Sequence, residues 1–202
     1  HVVVPSLPGF GFSDKPAATG WNAPRIADAW GQLMARLGYR RWLAQGGDFG
    51  AVVTHELAKR APAGLAGAHL NLFPVFQPPA SDPPTPPEQE ALDKLRRFFA
   101  DGAGFVHQQS TRPQTVGYAL TDSPAGQAAW IFEKLLEWTD SDGDPEGLIG
   151  VDRILDAVML HWLPGTAASS ARLYWEDART AATPDDFTVP VGFTVFPGEI
   201  VP

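Results

Sequence analysis

Apolar runs and amphipathic segments alternate over the first third of the chain. The runs 1–5, 42–45 and 65–70 are short, mostly apolar and bounded by turn residues or charges, which is typical of buried strands. Segments 24–37 and 51–60 instead repeat apolar residues at helical spacing. Strands that alternate with helices in this way favour right-handed crossovers and a parallel sheet. The pattern therefore predicts an α/β fold.

The pattern becomes mainly helical in the middle of the chain and returns to strand near the end. Prolines crowd residues 74–87, where neither a helix nor a central strand could continue, so this stretch predicts a linker. The run 189–196 is strand-like again. We therefore expect the N-terminal part of a core over 1–72, a helical lid over 73–186 and a return to the core sheet over 187–202. The predicted lid helices are 88–100, 124–138, 151–162 and 168–177.

Both ends of the chain look like parts of a sheet. Position 1 is His, the run 1–5 resembles a strand already in progress, and the last strand-like run ends six residues before position 202. We therefore interpret the chain as an internal, truncated fragment of a longer protein. The alternative is a complete small domain with frayed ends.

Composition excludes several classes of protein. The formal net charge is -8 and the 15 Lys and Arg are scattered, which argues against a nucleic-acid partner. No window holds the run of about 18 apolar residues that a membrane span needs. Cys is absent, which excludes disulfides, thiolate nucleophiles and Cys-ligated metals. These features predict a soluble protein, and we expect it in the cytoplasm, although a chain without Cys suits other compartments too.

No metal or cofactor site is expected. The acidic segment 140–146 resembles a calcium loop only faintly, because Val151 stands where the closing bidentate Glu would be required. Gly9 and Gly11 lack the third glycine and the following helix of a dinucleotide fingerprint. We therefore interpret both segments as ordinary loops.

The segment Gly46-Gly47-Asp48-Phe49-Gly50 is the strongest chemical signal in the sequence. It lies between a predicted strand and a predicted helix and has the small-x-nucleophile-x-small spacing of a nucleophile elbow. An Asp presented by such a bend can attack carbon and form an ester. The other interpretation is a Gly-Gly-Asp turn in which Asp48 only caps the helix.

The bend is one of five motifs spread over most of the chain. The motifs are 5–13, 46–50, 110–115, 120–126 and 169–174. Their residues and their order resemble the microsomal-type epoxide hydrolases of the α/β-hydrolase superfamily. The resemblance implies an α/β-hydrolase fold with a partial parallel sheet and a helical lid. It also implies a reaction without a cofactor, in which an Asp opens an epoxide and water hydrolyses the resulting ester to a vicinal diol.

The resemblance assigns roles to four residues. Asp48 matches the nucleophile, and Tyr174 matches a lid tyrosine that donates to the epoxide oxygen. Glu199 matches the carboxylate that orients a base His. Phe49 stands where the family usually has Trp, at the position whose backbone N–H helps to hold an oxyanion.

The second lid tyrosine of the family is missing. Phe105 stands in its place and has no hydroxyl to donate. Tyr118 is near in sequence and is a possible lid donor, but we favour the interpretation that it packs in the core of the lid. Without a replacement donor, opening of the epoxide should be slower.

The base and the upstream oxyanion loop have no match within the 202 residues. None of the five histidines follows Glu199, as the chain order nucleophile, acid, His would require. His55 and His161 are interpreted as packing or surface residues. We therefore expect no turnover by this chain alone. The five histidines are His1, His55, His69, His107 and His161.

The parent protein is accordingly predicted to be an epoxide hydrolase. Its partners are expected to be an epoxide and water, and the epoxide should be small and apolar because the lid is rich in aromatic residues. A second copy of the chain in a homodimer is the one macromolecular partner that we expect. Two alternatives stay open. A haloalkane or haloacid dehalogenase shares the Asp bend, and a non-catalytic binding protein of the same fold would explain Phe105. The lid aromatics are Phe98, Phe99, Phe105, Trp130, Phe132, Trp138, Trp162 and Trp175.

Overall fold

A small parallel sheet carries the predicted nucleophile bend. The computed structural model describes residues 1–72, 82–180 and 186–199, and three strands are found there. They are β1 (Trp42–Gly46), β2 (Leu65–Leu70) and β3 (Val191–Phe193), in the spatial order β1-β2-β3. Gly46 lies opposite Leu70, and Leu70 lies opposite Phe193. The three strands therefore end side by side at one edge of the sheet.

Two helices follow the predicted segments, and one of them covers this sheet. They are α1 (Ala23–Arg36) and α2 (Phe49–Arg60); α2 packs on β1 and β2, and α1 packs on α2. Asn22 begins α1, where its side chain accepts a hydrogen bond from the backbone N–H of Arg25. These elements confirm the predicted α/β class, with β2 at the expected residues.

The chain divides into two compact units. The sheet unit comprises the described residues of 22–104 and 181–202, and the helical unit comprises 1–21 and 105–180. The predicted boundaries at 72/73 and 186/187 both fall inside the sheet unit. The division into core and lid therefore stays a prediction, distinct from these compact units.

The linker prediction is wrong for its last two prolines. Pro86 and Pro87 form the first turn of α3 (Pro86–Arg97), which continues into a π-helical turn at Phe98–Gly102. Thr85 and Glu88 form a capping box at its start. Proline is tolerated there because the first backbone N–H groups of a helix have no partner within it. The rest of the linker prediction falls largely on 73–81, outside the described residues.

The remaining helices belong to the helical unit, except that the first residue of α4 is grouped with the sheet unit. Three of the six match predicted segments closely. The other three were not predicted, because α7 spans five residues and the apolar pattern of α4 and α5 is weak. The helices are α4 (Gly104–Thr111), α5 (Pro113–Asp122), α6 (Pro124–Trp138), α7 (Pro145–Ile149), α8 (Val151–Trp162) and α9 (Ala167–Asp177). No helix in the described segments is long and apolar enough to cross a membrane.

The prediction of a strand at 1–5 is wrong. These residues have no regular secondary structure, and the side chains of Val2 and Val4 are 87% and 85% exposed. β-branched residues fit a pleated sheet only when a neighbouring strand supplies hydrogen bonds and packing. None of the three strands described above pairs with this segment. The strand predicted at 189–196 is found, but β3 covers only its central three residues.

Helices α5 and α9 pack closely against each other in the helical unit. A Cβ atom at Gly117 would lie 2.7 Å from both the Cα and the Cβ of Ala168, so only glycine fits at this crossing. Replacement of Gly117 by Ala should lower the free energy of unfolding, because overpacking costs about 1 to 3 kcal/mol, more than the gain in helix propensity of at most about 1 kcal/mol. Urea denaturation measures the change.

Gly104 provides the matched control, since a Cβ there meets nothing within 4 Å. Gly104→Ala should leave stability unchanged or raise it slightly. A Gly117→Ala variant that unfolds at the same urea concentration as Gly104→Ala would contradict the packing assigned to α5 and α9.

Candidate active site

The bend between β1 and α2 depends on a close approach of two backbone segments. A Cβ atom at Gly46 would collide with the carbonyl oxygen of Gly50 and would lie 2.7 Å from the side-chain oxygen of Thr54. A Cβ at Gly50 meets nothing within 4 Å. The first turn of α2 thus lies so close to the end of β1 that only glycine fits at position 46. Position 50 has room for a side chain, so only one of these two glycines is required by the close approach.

Asp48 has an unusual backbone conformation. Its φ is 50° and its ψ is -130°, a region that costs a non-glycine residue about 1 to 3 kcal/mol. Asp48 does cap α2, as the simpler interpretation requires, but a helix cap normally has extended backbone. Asp144, which caps α7, has a φ of -124°. Capping alone therefore does not account for the strain at Asp48.

The carboxylate of Asp48 has one engaged oxygen. Its Oδ1 accepts a hydrogen bond of 2.5 Å from the backbone N–H of Phe49, and the side chain is exposed. Within the described part of the chain, Oδ2 accepts none. The N-terminus of α2 also favours a negative charge there. The bend thus presents a carboxylate with one oxygen held and the other available as a nucleophile.

Glu199 follows the other outer strand of the same sheet. Its backbone N–H donates to the carbonyl of Phe196 at 3.0 Å, which closes a turn beyond β3, and the residue is half-buried. Asp48 follows β1 and Glu199 follows β3, so both carboxylates come after strands that end at the same edge. Ligands of open α/β sheets bind outside this edge.

Three histidines are engaged in packing or in hydrogen bonds. His55 is 5% exposed and its ring meets the ring of Phe187 edge-on. His161 packs against Phe10, and burial lowers the pKa of its imidazole. His69 on β2 forms a hydrogen bond of 2.9 Å with the hydroxyl of Thr194. The packing interpretation of His55 and His161 agrees with these surroundings.

In the helical unit, Tyr174 and Phe105 are neighbours. Their ring centroids are 5.9 Å apart in an edge-to-face arrangement, and Phe105 also meets Trp138 at 5.3 Å. Tyr174 lies on α9 and Phe105 on α4, and both are half-buried. The assignment of Phe105 to the place of the second tyrosine stays a prediction.

Lys134 lies over this aromatic group and is absent from the sequence predictions. Its Nζ is 5.2 Å from the ring centroid of Phe105 and 5.4 Å from that of Trp138, and its side chain is 16% exposed. Burial lowers the pKa of Lys134, but hydrogen bonds to Glu133 and Glu137 raise it by more, so the amine stays charged. The spacing of Lys134 from Glu137 and Trp138 on one helix is the signal that could have indicated the cluster.

The prediction that Tyr118 packs in the core of the lid is wrong. Its side chain is 69% exposed, and among the described residues it has no hydrogen bond or ring contact. The buried positions of α5 are Pro113, Gly117 and Leu120, which lie on one face of the helix. Tyr118 follows Gly117 directly and therefore points about 100° away from that face. The donor role of Tyr118 stays an untested alternative.

A buried hydrogen bond joins two of the sequence motifs. The hydroxyl of Ser169 donates to the carbonyl of Gly9 at 2.6 Å, and Gly9 has a φ of 88°. A Cβ on Gly9 would lie 3.1 Å from the carbonyl oxygen of Ser169. The glycine loop at 7–14 therefore packs directly on α9, the helix that carries Tyr174.

Comparison with known proteins agrees with this architecture. A protein of Stigmatella aurantiaca named "putative epoxide hydrolase" is 57% identical over 203 residues, which cover 99% of this chain and 46% of that protein. Epoxide hydrolase 1 of Sus scrofa is 34% identical over 227 residues, which cover 100% of this chain and 50% of the relative. The chain thus spans about half the length of the curated relatives it matches. The predicted resemblance to epoxide hydrolases is confirmed.

Solved structures give the same result. Juvenile hormone epoxide hydrolase from the silkworm Bombyx mori superposes with a TM-score of 0.74 at 34% identity, over 96% of this chain and 46% of that one. Aspergillus niger epoxide hydrolase superposes with a TM-score of 0.79 at 31% identity, over 98% of this chain and 51% of that one. The model of the α/β hydrolase fold family matches residues 1–140. The chain therefore belongs to the α/β-hydrolase fold family.

Proposed function

We propose that Asp48 is the nucleophile of an epoxide hydrolase that converts a small apolar epoxide and water to a vicinal diol. The observation that carries the proposal is the strained bend, in which crowding at Gly46 accompanies a positive φ at Asp48. Strain of this kind persists where the surrounding structure imposes it, and it is concentrated at functional sites. The relatives named as epoxide hydrolases support the same reaction.

The two carboxylate oxygens of Asp48 have different roles in this proposal. Oδ2 attacks an epoxide carbon, the C–O bond of the ring breaks, and the released oxygen takes a proton from the phenol of Tyr174. Oδ1 then becomes the carbonyl oxygen of the ester. When water adds to the ester, negative charge develops on Oδ1, where the backbone N–H of Phe49 already donates. A donor aimed at charge that develops in the transition state lowers the barrier.

Hydrolysis of the ester requires a base His, and the resemblance assigns none of the 202 residues to this role. Glu199 would orient that His, and none of the histidines follows it. We therefore propose that this chain alone stops at the ester. The aromatic rings around Tyr174 favour an apolar substituent on the epoxide. A homodimer and the cytoplasm as compartment stay predictions.

Incubation of the 202-residue chain with styrene oxide should raise its mass by that of one epoxide molecule. Peptide mapping should find the adduct on Asp48, and Asp48→Asn should form none, because an amide is a poor nucleophile. Asp144→Asn is the matched control, since Asp144 is another helix-capping Asp but has a negative φ. It should react like the unsubstituted chain.

Two results would contradict this proposal. An adduct on another residue would refute the nucleophile assignment, and sustained diol production would refute the arrest at the ester. Release of halide from a haloalkane, with no reaction with the epoxide, would favour the dehalogenase alternative instead.

Phe105→Tyr should accelerate ester formation about tenfold or more, because it restores a phenol donor beside Tyr174. The rate is measured by intact mass at several times of incubation with styrene oxide. Tyr118→Phe should not change the rate, since the exposed Tyr118 is expected not to reach the substrate. If Tyr118→Phe slows the reaction while Phe105→Tyr does not accelerate it, Tyr118 is the second donor.

A further inference from the structure

We infer that Asn71 is a positioning residue that holds the nucleophile bend in shape. The inference rests on the proposed function, because it concerns how Asp48 is oriented for attack. Asn71 follows β2 directly and lies beside the end of β1. Two hydrogen bonds connect it to the residues that precede Asp48, and its side chain lies near Gly47.

The backbone of Asn71 extends the sheet to the start of the bend. Its N–H donates to the carbonyl of Gly46 at 3.0 Å, one residue beyond the pairing of Gly46 with Leu70. Gly46 is the crowded glycine, so the last ladder bond of the β1–β2 pair ends at the residue on which the bend depends. This bond limits how far the end of β1 can move away from the sheet.

The side chain of Asn71 holds the same segment from a second direction. Its Oδ1 accepts a hydrogen bond of 2.7 Å from Nε2 of Gln45, the residue before Gly46. Its Cβ, Cγ and Nδ2 lie 3.6, 3.9 and 4.0 Å from the position that a Cβ of Gly47 would occupy. The side chain therefore bonds to Gln45 and occupies the space beside Gly47 into which a side chain at that position would point.

The strain at Asp48 gives this arrangement a function. A positive φ at a non-glycine residue persists only if neighbouring contacts prevent the chain from relaxing. Asn71 bonds to Gln45 and Gly46 and lies near Gly47, and these are the three residues immediately before Asp48. Without the side chain of Asn71, the bend should relax and the carboxylate should lose its orientation, although Asp48 itself is still present.

Asn71→Ala should therefore lower the maximal rate of ester formation about 10- to 100-fold, since a misplacement of about 1 Å can cost about 10²-fold. The half-saturating concentration of styrene oxide should change much less, because the side chain is proposed to orient Asp48 and not to bind the epoxide. Intact mass measured over time at a series of epoxide concentrations separates the two quantities.

A double-mutant cycle tests whether Asn71 acts through Gln45. Gln45→Ala should slow ester formation less than Asn71→Ala, and the double variant should be no slower than Asn71→Ala alone, because both changes remove one interaction. Additive effects would overturn the positioning role of this hydrogen bond. Gln45→Ala leaves Asn71 and the backbone intact, so it carries the test if Asn71→Ala does not fold.

Thr194→Val is the control for stability. It removes the side-chain hydrogen bond between His69 and Thr194, which lies on the β3 side of the same sheet. It should lower the urea midpoint without changing the rate of ester formation. If it slows the reaction as much as Asn71→Ala does, the effect of Asn71 is general destabilisation and the inference is overturned.

The outcome also distinguishes the inference from the proposed function. If the unsubstituted chain forms no adduct on Asp48, the proposed function fails and the role of Asn71 fails with it. If that chain reacts and Asn71→Ala reacts at the same maximal rate, the inference about Asn71 alone is wrong.

Discussion

The contact between the end of β1 and the first turn of α2 is the constraint on which the chemistry of this chain depends. Gly46 has no room for a side chain because the carbonyl of Gly50 lies against it. The connection is therefore too short for an ordinary helix start, and Asp48 adopts a positive φ between the two elements. Strain in the backbone thus exposes the carboxylate at the edge of the sheet where all three strands end.

In the helical unit, the polar groups of Tyr174 and Lys134 lie among aromatic rings. Tyr174 is half-buried beside Phe105, and the ammonium of Lys134 lies over Phe105 and Trp138. Glu133 and Glu137 keep that ammonium charged despite its burial. A cation over an aromatic face is attracted by the ring quadrupole. Phe105 thus contacts both the ammonium of Lys134 and the ring of Tyr174.

The fold could be predicted where one periodic signal dominated. Segments 65–70, 124–138 and 151–162 became β2, α6 and α8 at the predicted residues, because each carries a clear apolar pattern along its own length. The prediction of a strand at 1–5 was wrong because strand propensity does not specify a partner strand. The prediction that Tyr118 is buried was wrong because the buried face of α5 contains the small residue Gly117 and not the neighbouring aromatic side chain. Asn71 was missed because its partners Gln45 and Gly46 lie on a neighbouring strand. Lys134 was missed because one of the rings it lies over, Phe105, is on another helix.

The most direct test of the account compares two single substitutions within the bend. Gly46→Ala places a methyl group against the Gly50 carbonyl, whereas Gly50→Ala places one in open space. The measurement is the rate of ester formation on Asp48 with styrene oxide, in variants whose circular dichroism shows that they are folded. Gly50→Ala should react at the rate of the unsubstituted chain, and Gly46→Ala should not react. A folded Gly46→Ala variant that reacts at the unsubstituted rate would contradict the account.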